Sequence, residues 1–172
     1  DVTEHPGHVE LFANAIARVE RPIVLSLSPG NEVWDGTYRA VLPFANMMRT
    51  TGDVWDEDAD NLRKLERWYA LESCNDPRCR LDFDMIPIGG LQVNVPQLDK
   101  VSLGQARQSR LTAEGKRTLM TILAMTGSPL IFGGALPHTS DEDLAWVIHP
   151  GMLECQRECQ VGQRMSFSRH LD

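Results

Sequence analysis

Arg21-Pro22-Ile23-Val24-Leu25-Ser26-Leu27-Ser28-Pro29-Gly30 sets a short apolar run between a proline and a Pro-Gly pair. Bounded by breakers on both sides, the run predicts a strand over Ile23–Leu27, and its continuous apolar character fits a parallel strand covered on both faces. Upstream, Val9, Phe12, Ala13, Ile16 and Val19 recur at three- and four-residue spacing, which predicts an amphipathic helix over His8–Val19. Downstream, Thr37–Met47 reads as a second, weaker helix. Met48-Arg49-Thr50-Thr51 then reads as a second strand leading into Gly52-Asp53.

The same alternation continues. Leu62, Leu65, Trp68 and Tyr69 mark the inner side of a surface helix over Asp56–Leu71, and Cys74–Asp82 reads as a loop. Met85–Ile88 is a short apolar strand closed by Gly89-Gly90, and Gln92–Arg110, which has no clear period, reads as an excursion. Thr112 is placed to cap a helix whose inner face holds Leu119, Met120, Ile122 and Leu123. Pro129-Leu130-Ile131-Phe132 is a fourth strand closed by Gly133-Gly134, and Ser140 with Asp143 forms a capping box for a last helix to about His149. Helix and strand in alternation predict a parallel sheet with crossover helices. A full (β/α)8 TIM barrel needs about 250 residues and eight strands. Four strands in 172 residues predict an α/β half-barrel, organised as one partial-barrel domain over 1–172 with an unassigned tail at 149–172.

Composition narrows the partners. The chain is 42% hydrophobic and 24% charged, with 17 basic against 24 acidic residues and a formal charge of −7. An acidic surface repels phosphate backbones and anionic lipid, which argues against nucleic acid and membranes as partners and leaves neutral small molecules. No apolar run approaches the roughly 18 residues a spanning helix requires. The chain begins at Asp1 rather than Met and has no signal-peptide pattern near it, which leaves room for residues ahead of it; the compartment stays open. Cys74, Cys79, Cys155 and Cys159 form no C-x-x-C pair. Unpaired thiols are expected, with a disulfide across 75–78 or a shared zinc site as the alternatives.

If the strands are parallel, ligands bind at their C-terminal ends, near Ser28, Arg49–Asp53, Asp82–Met85 and Gly133-Gly134. Asp53 follows a strand, with Asp56 and Asp58 close behind, and Asp82 and Asp84 flank Phe83. Two separated carboxylates facing one cleft are what glycoside hydrolysis requires. The alternative is that Asp53 caps the following helix, that the other acids solvate a loop, and that Arg49 is a structural ion-pair partner. His5-x-x-His8 is interrupted by Pro6-Gly7, and no metal site is expected there. The glycine pairs lack phosphate-loop spacing, so no cofactor is expected; they are read as letting a loop or ligand approach the strand ends. Ser28 lacks the G-x-S-x-G context of a nucleophile elbow. Trp34, Trp68 and Trp146 read as core, whereas Trp55, beside Asp53, is the candidate sugar platform.

Taken together, Arg21–Gly30 and Arg49-Thr50-Thr51-Gly52-Asp53-Val54-Trp55-Asp56 resemble the α-galactosidases of glycoside hydrolase family 27. Asp82-Phe83-Asp84-Met85-Ile86-Pro87-Ile88-Gly89 is similar to that family's D-P-D-M-L segment. Leu111-Thr112 through Gly134 is similar to its L-T-x-x-E-x-R-T helix and S-P-L-x-x-G strand. The resemblance spans about residues 8–148 and implies a retaining glycosidase on an α/β barrel, with this chain at strands five to eight. It implies Asp53 as general acid/base, Arg49 as the arginine contacting sugar and carboxylates, and Asp84 with Met85 lining the galactose site. Asp82 is grouped with them, and Ser28 stands where many α-galactosidases carry a Glu, leaving room for a larger group at the sugar's second carbon. Related α-N-acetylgalactosaminidase and β-L-arabinopyranosidase activities are close variants.

The family's nucleophile lies in a K-x-D segment at the end of strand four, which this sequence does not contain; Asp1 stands near that place without the lysine. The leading expectation is a glycosidase acting on galactose-configured substrates. A half-barrel exposes strand edges, so self-association is expected, two copies closing a barrel with Asp82, Asp84 or Asp1 as the second carboxylate. The competing expectation is a non-catalytic carbohydrate-binding or structural half-barrel.

Overall fold

The computed structural model describes residues 4–29, 37–58, 78–93 and 105–159. Strand β1 (Ser26–Leu27) pairs in parallel with β2 (Met47–Arg49), which pairs in parallel with β3 (Arg80–Asp82). Strands β4 (Met85–Ile86) and β7 (Ile131–Phe132) form a second parallel pair. Two residues, Phe83 and Asp84, separate β3 from β4, so the parallel strands run in the order β1, β2, β3/β4, β7. This mixed α/β arrangement is consistent with part of a TIM barrel. An antiparallel pair, β5 (Gly90–Leu91) and β6 (Arg107–Gln108), adds an element the alternation did not suggest.

Side-chain alternation sets the faces. Leu27, Met48 and Leu81 are in register across β1, β2 and β3, and all are buried in a cluster with Val9, Val41, Leu42, Ala45 and Cys79. Their neighbours Ser26, Met47 and Arg80 form the opposite row and are exposed or half-buried. A second cluster joins Val54, Phe83, Ile86 and Ile88 to Leu111, Leu119, Met120, Ile122 and Leu123. It lies beneath helix α2 (Ala113–Thr126), helix α3 (Asp141–Val147) and helix α4 (Pro150–Glu158), from which Trp146, Val147 and Met152 pack against it.

Capping follows the sequence closely. The Thr112 hydroxyl accepts from the Gly115 amide at 3.0 Å, and Gly127 ends α2 in a left-handed conformation at φ 64°. Ser140 accepts from the Asp143 amide at 3.2 Å, starting α3 as expected. In the expected unassigned tail, α4 packs on α2, and the Gln156 amide donates to the Ser128 carbonyl at 2.9 Å.

Other expectations are corrected. The first helix, α1 (Pro6–Ala17), begins at Pro6, whose missing N–H costs nothing at N1. Of its expected inner face only Val9 is buried, and Phe12 is exposed. The strand expected over Ile23–Leu27 is reduced to two residues and alternates, with Val24 exposed and Leu27 buried. The helix expected over Thr37–Met47 is two 3-10 turns, Thr37–Ala40 and Leu42–Phe44, with Pro43 in the second. Proline in a helix interior removes a hydrogen bond and clashes with the preceding turn. The loop expected through Asp82 contains β3, and its single buried aliphatic, Leu81, is too short a pattern to announce a strand. Beyond Asp58, the helix expected to Leu71 lies outside the described residues, as do Trp34, Trp68, Cys74 and Asp1. No described helix is long and apolar enough to cross a membrane.

The glycine pairs serve backbone approach. The Gly133 amide donates to the Ile86 carbonyl at 3.0 Å, and the Ala135 amide donates to Gly90 at 2.8 Å. A Cβ on Gly134 would collide with the Ile88 carbonyl oxygen. Gly134→Ala is therefore expected to lower stability by about 1–3 kcal/mol through overpacking, seen as a lower urea midpoint at unchanged m-value.

Candidate active site

Arg49 is the last residue of β2, and its planar guanidinium meets three acceptors. Nε donates to the Thr51 carbonyl at 3.0 Å, one terminal nitrogen donates to Asp53 Oδ1 at 2.9 Å, and the other lies 3.5 Å from Asp84 Oδ1. Asp53 and Asp84 are thus brought to one cation from two strand ends. Their exposures differ: the Asp53 side chain is 60% exposed and that of Asp84 16%. The parallel register sets Arg49 beside Asp82, and continuing it one residue beyond Leu27↔Met48 sets exposed Ser28 beside Arg49. Met85, on β4, is half-buried against Gly133. Of the residues singled out from the sequence, Ser28, Arg49, Asp53, Asp82 and Asp84 therefore lie at or just past the C-terminal ends of β1, β2 and β3, whereas Met85 opens β4.

Asp84 occupies a left-handed backbone conformation, φ 77°, where a side chain is disfavoured. Its Oδ2 accepts from the Val54 amide at 2.7 Å, so both carboxyl oxygens are engaged. Asp82 differs from a sugar-facing residue in being 4% exposed, and its Oδ1 accepts from the Asp84 amide at 2.9 Å. Burial raises its pKa; the Asp84 amide and Arg49 act against the shift, and the Asp84 charge adds to it. Thr50 and Thr51, fully buried, fasten β2 to β3: the Thr50 hydroxyl donates to the Asp82 carbonyl at 3.3 Å and the Thr51 hydroxyl to that of Phe83 at 3.4 Å.

The sequence reading missed a brace beneath this edge. Asp56, with no exposed side-chain surface, accepts a two-pronged bond from Arg107 at 2.9 and 2.6 Å, and accepts again from the Arg110 amide at 3.0 Å and its Nε at 3.2 Å. Burial alone would push the Asp56 carboxyl up, but the hydrogen bonds from Arg107 and Arg110 outweigh it and hold the group well below its ordinary 3.8. Arg107 also lies 5.7 Å from the centroid of half-buried Trp55, so that ring carries a cation on it. Two arginines three residues apart in an aperiodic segment were the available signal. Elsewhere, a cavity of about 140 Å³ lies among Arg117, Met120, Trp146, His149 and Met152, which include none of these residues. Among the described residues no group of three or more His, Cys, Asp or Glu gathers to hold a metal.

No protein-family model and no curated protein matches the chain. Solved structures do. The chain matches Abp, a GH27 β-L-arabinopyranosidase from Geobacillus stearothermophilus, at 31% identity and TM-score 0.77, covering 88% of this chain and 34% of that one. The chain carries part of a glycoside hydrolase family 27 domain. A putative α-N-acetylgalactosaminidase from Bacillus halodurans C-125 matches at 26% identity and TM-score 0.68, covering 89% of this chain and 33% of that one. A putative α-galactosidase from Bacteroides fragilis shares the fold at 20% identity and TM-score 0.73, with 99% of this chain and 36% of that one covered. The chain therefore spans about a third of the length of these structures.

The Asp56 brace has a measurable signature. Asp56→Ala leaves the Arg107 charge without its buried partner and is expected to cost about 3–5 kcal/mol at neutral pH. Because the Asp56 pKa is lowered on folding, its contribution is present above the ordinary 3.8 and is lost as the pH falls below it. Urea titrations from pH 7 to pH 3 are expected to show the gap between wild type and variant narrowing on the acid side.

Proposed function

We propose that this chain supplies the acid/base side of a glycosidase site for terminal galactose-configured sugars. Asp53 is the general acid/base, and Arg49, Asp84, Met85 and Ser28 form the sugar-facing wall. One observation supports the reading above the others: Arg49 gathers Asp53 and Asp84 at the strand ends while leaving the Asp53 carboxyl mostly exposed. A group that protonates a glycosidic oxygen has to meet solvent and substrate, and a cap buried in a helix start would not.

The chemistry then follows from charge and reach. Asp53 in its acid form gives a proton to the leaving oxygen as the glycosidic bond breaks, and in its carboxylate form takes one from the attacking water. Beside it, Arg49 offers donors toward sugar hydroxyls. Retaining hydrolysis also needs a nucleophilic carboxylate about 5–5.5 Å from the acid/base. Asp84 has both oxygens engaged, and Asp82 and Asp56 are buried, so none of these three is placed for that role, and the reading assigns no nucleophile. In this reading a second copy is one route to completion. Supporting it, β1 and β7 are the outer strands among the described residues. No cofactor enters the reading.

The engagement of Asp84 favours one further reading, a carbohydrate-binding half-barrel without turnover. Aryl α- and β-galactosides, N-acetylgalactosaminides and arabinopyranosides separate the two, tested on the chain and on Asp53→Asn. Hydrolysis that falls about 10²–10⁴-fold in the variant is the expected result, the usual worth of a positioned acid/base group. Activity unchanged by the substitution would remove Asp53 from its role. No hydrolysis, with D-galactose still bound, would leave the binding reading standing. Sedimentation of the same sample is expected to show self-association.

A further inference from the structure

We infer that Asp82 is a positioning residue: its buried Oδ1, accepting from the Asp84 amide at 2.9 Å, holds Asp84 at φ 77° and so aims the Asp84 carboxylate at Arg49 and the Val54 amide. Its functional meaning rests on the glycosidase reading above, because that reading places Asp84 against the sugar.

A carboxyl at 4% exposure in a strand row needs a reason, since burial without compensation is unfavourable. Contact with substrate does not supply one for a group so enclosed. The backbone does. Asp84 is one of two described non-glycine residues with positive φ. Aspartate often tolerates that region by bonding its own side chain locally. Here the Asp84 side chain is spent elsewhere, on the Val54 amide and Arg49, and the local bond comes from the residue two positions before it. The strand must also turn here, because β3 pairs with β2 and β4 with β7. Ser128 Oγ accepts the Phe83 amide at 2.9 Å, so the two amides at the interruption are each taken by a side-chain oxygen. An oxygen at position 82 thus does for the backbone what its charge is not needed to do.

Amide hydrogen exchange tests this without reference to activity. Asp82→Ala is expected to speed exchange of the Asp84 and Val54 amides about tenfold or more relative to Leu119 in α2, while Asp82→Asn, which keeps an oxygen acceptor, stays within about twofold of wild type. Unchanged exchange at Asp84 and Val54 in Asp82→Ala would overturn the assignment. So would Asp82→Asn behaving like Asp82→Ala, since charge rather than the acceptor would then be at work. Should Asp82→Ala fail to fold, it is made together with Asp84→Gly, where positive φ carries no side-chain penalty. Folding restored there supports the role, and failure there overturns it. D-galactose titrated into the same proteins is expected to bind wild type and Asp82→Asn and not Asp82→Ala; undiminished binding by Asp82→Ala also counts against the role. A wild type that does not bind D-galactose refutes the glycosidase reading, and amide exchange still decides on Asp82.

Discussion

The Arg49 guanidinium is the constraint on which the strand-end arrangement depends. Asp53 and Asp84 come from segments about 30 residues apart in sequence, and two carboxylates converging on one edge repel unless a cation stands between them. Arginine suits the task because its donors lie in one plane and spread toward several acceptors at once. Its own position is fixed first. Met48 is anchored in the core on one side, and Thr50 and Thr51 are bonded to the neighbouring strand on the other. The side chain at 49 then has one way to project, away from the buried row.

The second constraint is the interruption of a strand. Cys79 and Leu81 belong to the cluster that holds Leu27 and Met48; Phe83, Ile86 and Ile88 belong to the one under α2. Phe83 is fully buried in the second cluster while still adjacent to the first, so the change of partner occurs without leaving an apolar side chain in water. The site sits at this seam. Family 27 membership and the placement of Arg49, Asp53 and Asp84 at strand ends are consistent with each other, because a barrel gathers its functional groups where its parallel strands stop.

Much of this was legible from residue order. That Arg49, Asp53 and Asp84 lie at strand ends could be read because glycines and changes in polarity mark those ends; the roles proposed for them come from the family resemblance. Thr112 and Ser140 could be read because an N-cap is a local bond with a local signature. What escaped was non-local or too short. Leu81 alone cannot announce a strand, and β3 exists because β2 offers it a ladder. Asp82 was grouped with sugar contacts, since sequence does not reveal which side of a strand end is enclosed. Asp56 looked like one acid among several, its partners lying in a segment without periodicity. The helix over 37–47 failed for a simpler reason: Pro43 was outweighed by the apolar spacing around it. Val24 was expected to be buried for the opposite reason, as a run of apolar residues does not say that both faces are covered.

The Asp56 brace also bears on the order of folding. Its bonds to Arg107 and Arg110 span 51 and 54 residues of sequence, whereas the caps of α2 and α3 close within a single turn. Closing a long loop carries an entropic cost before any contact offsets it, so non-local contacts form slowly compared with local ones. The helices can form early, but the segment carrying Asp53 acquires its fixed place only when two distant stretches meet. Contacts of this span close later than the local caps, so the bracing of the chemistry-bearing edge follows the capping of α2 and α3.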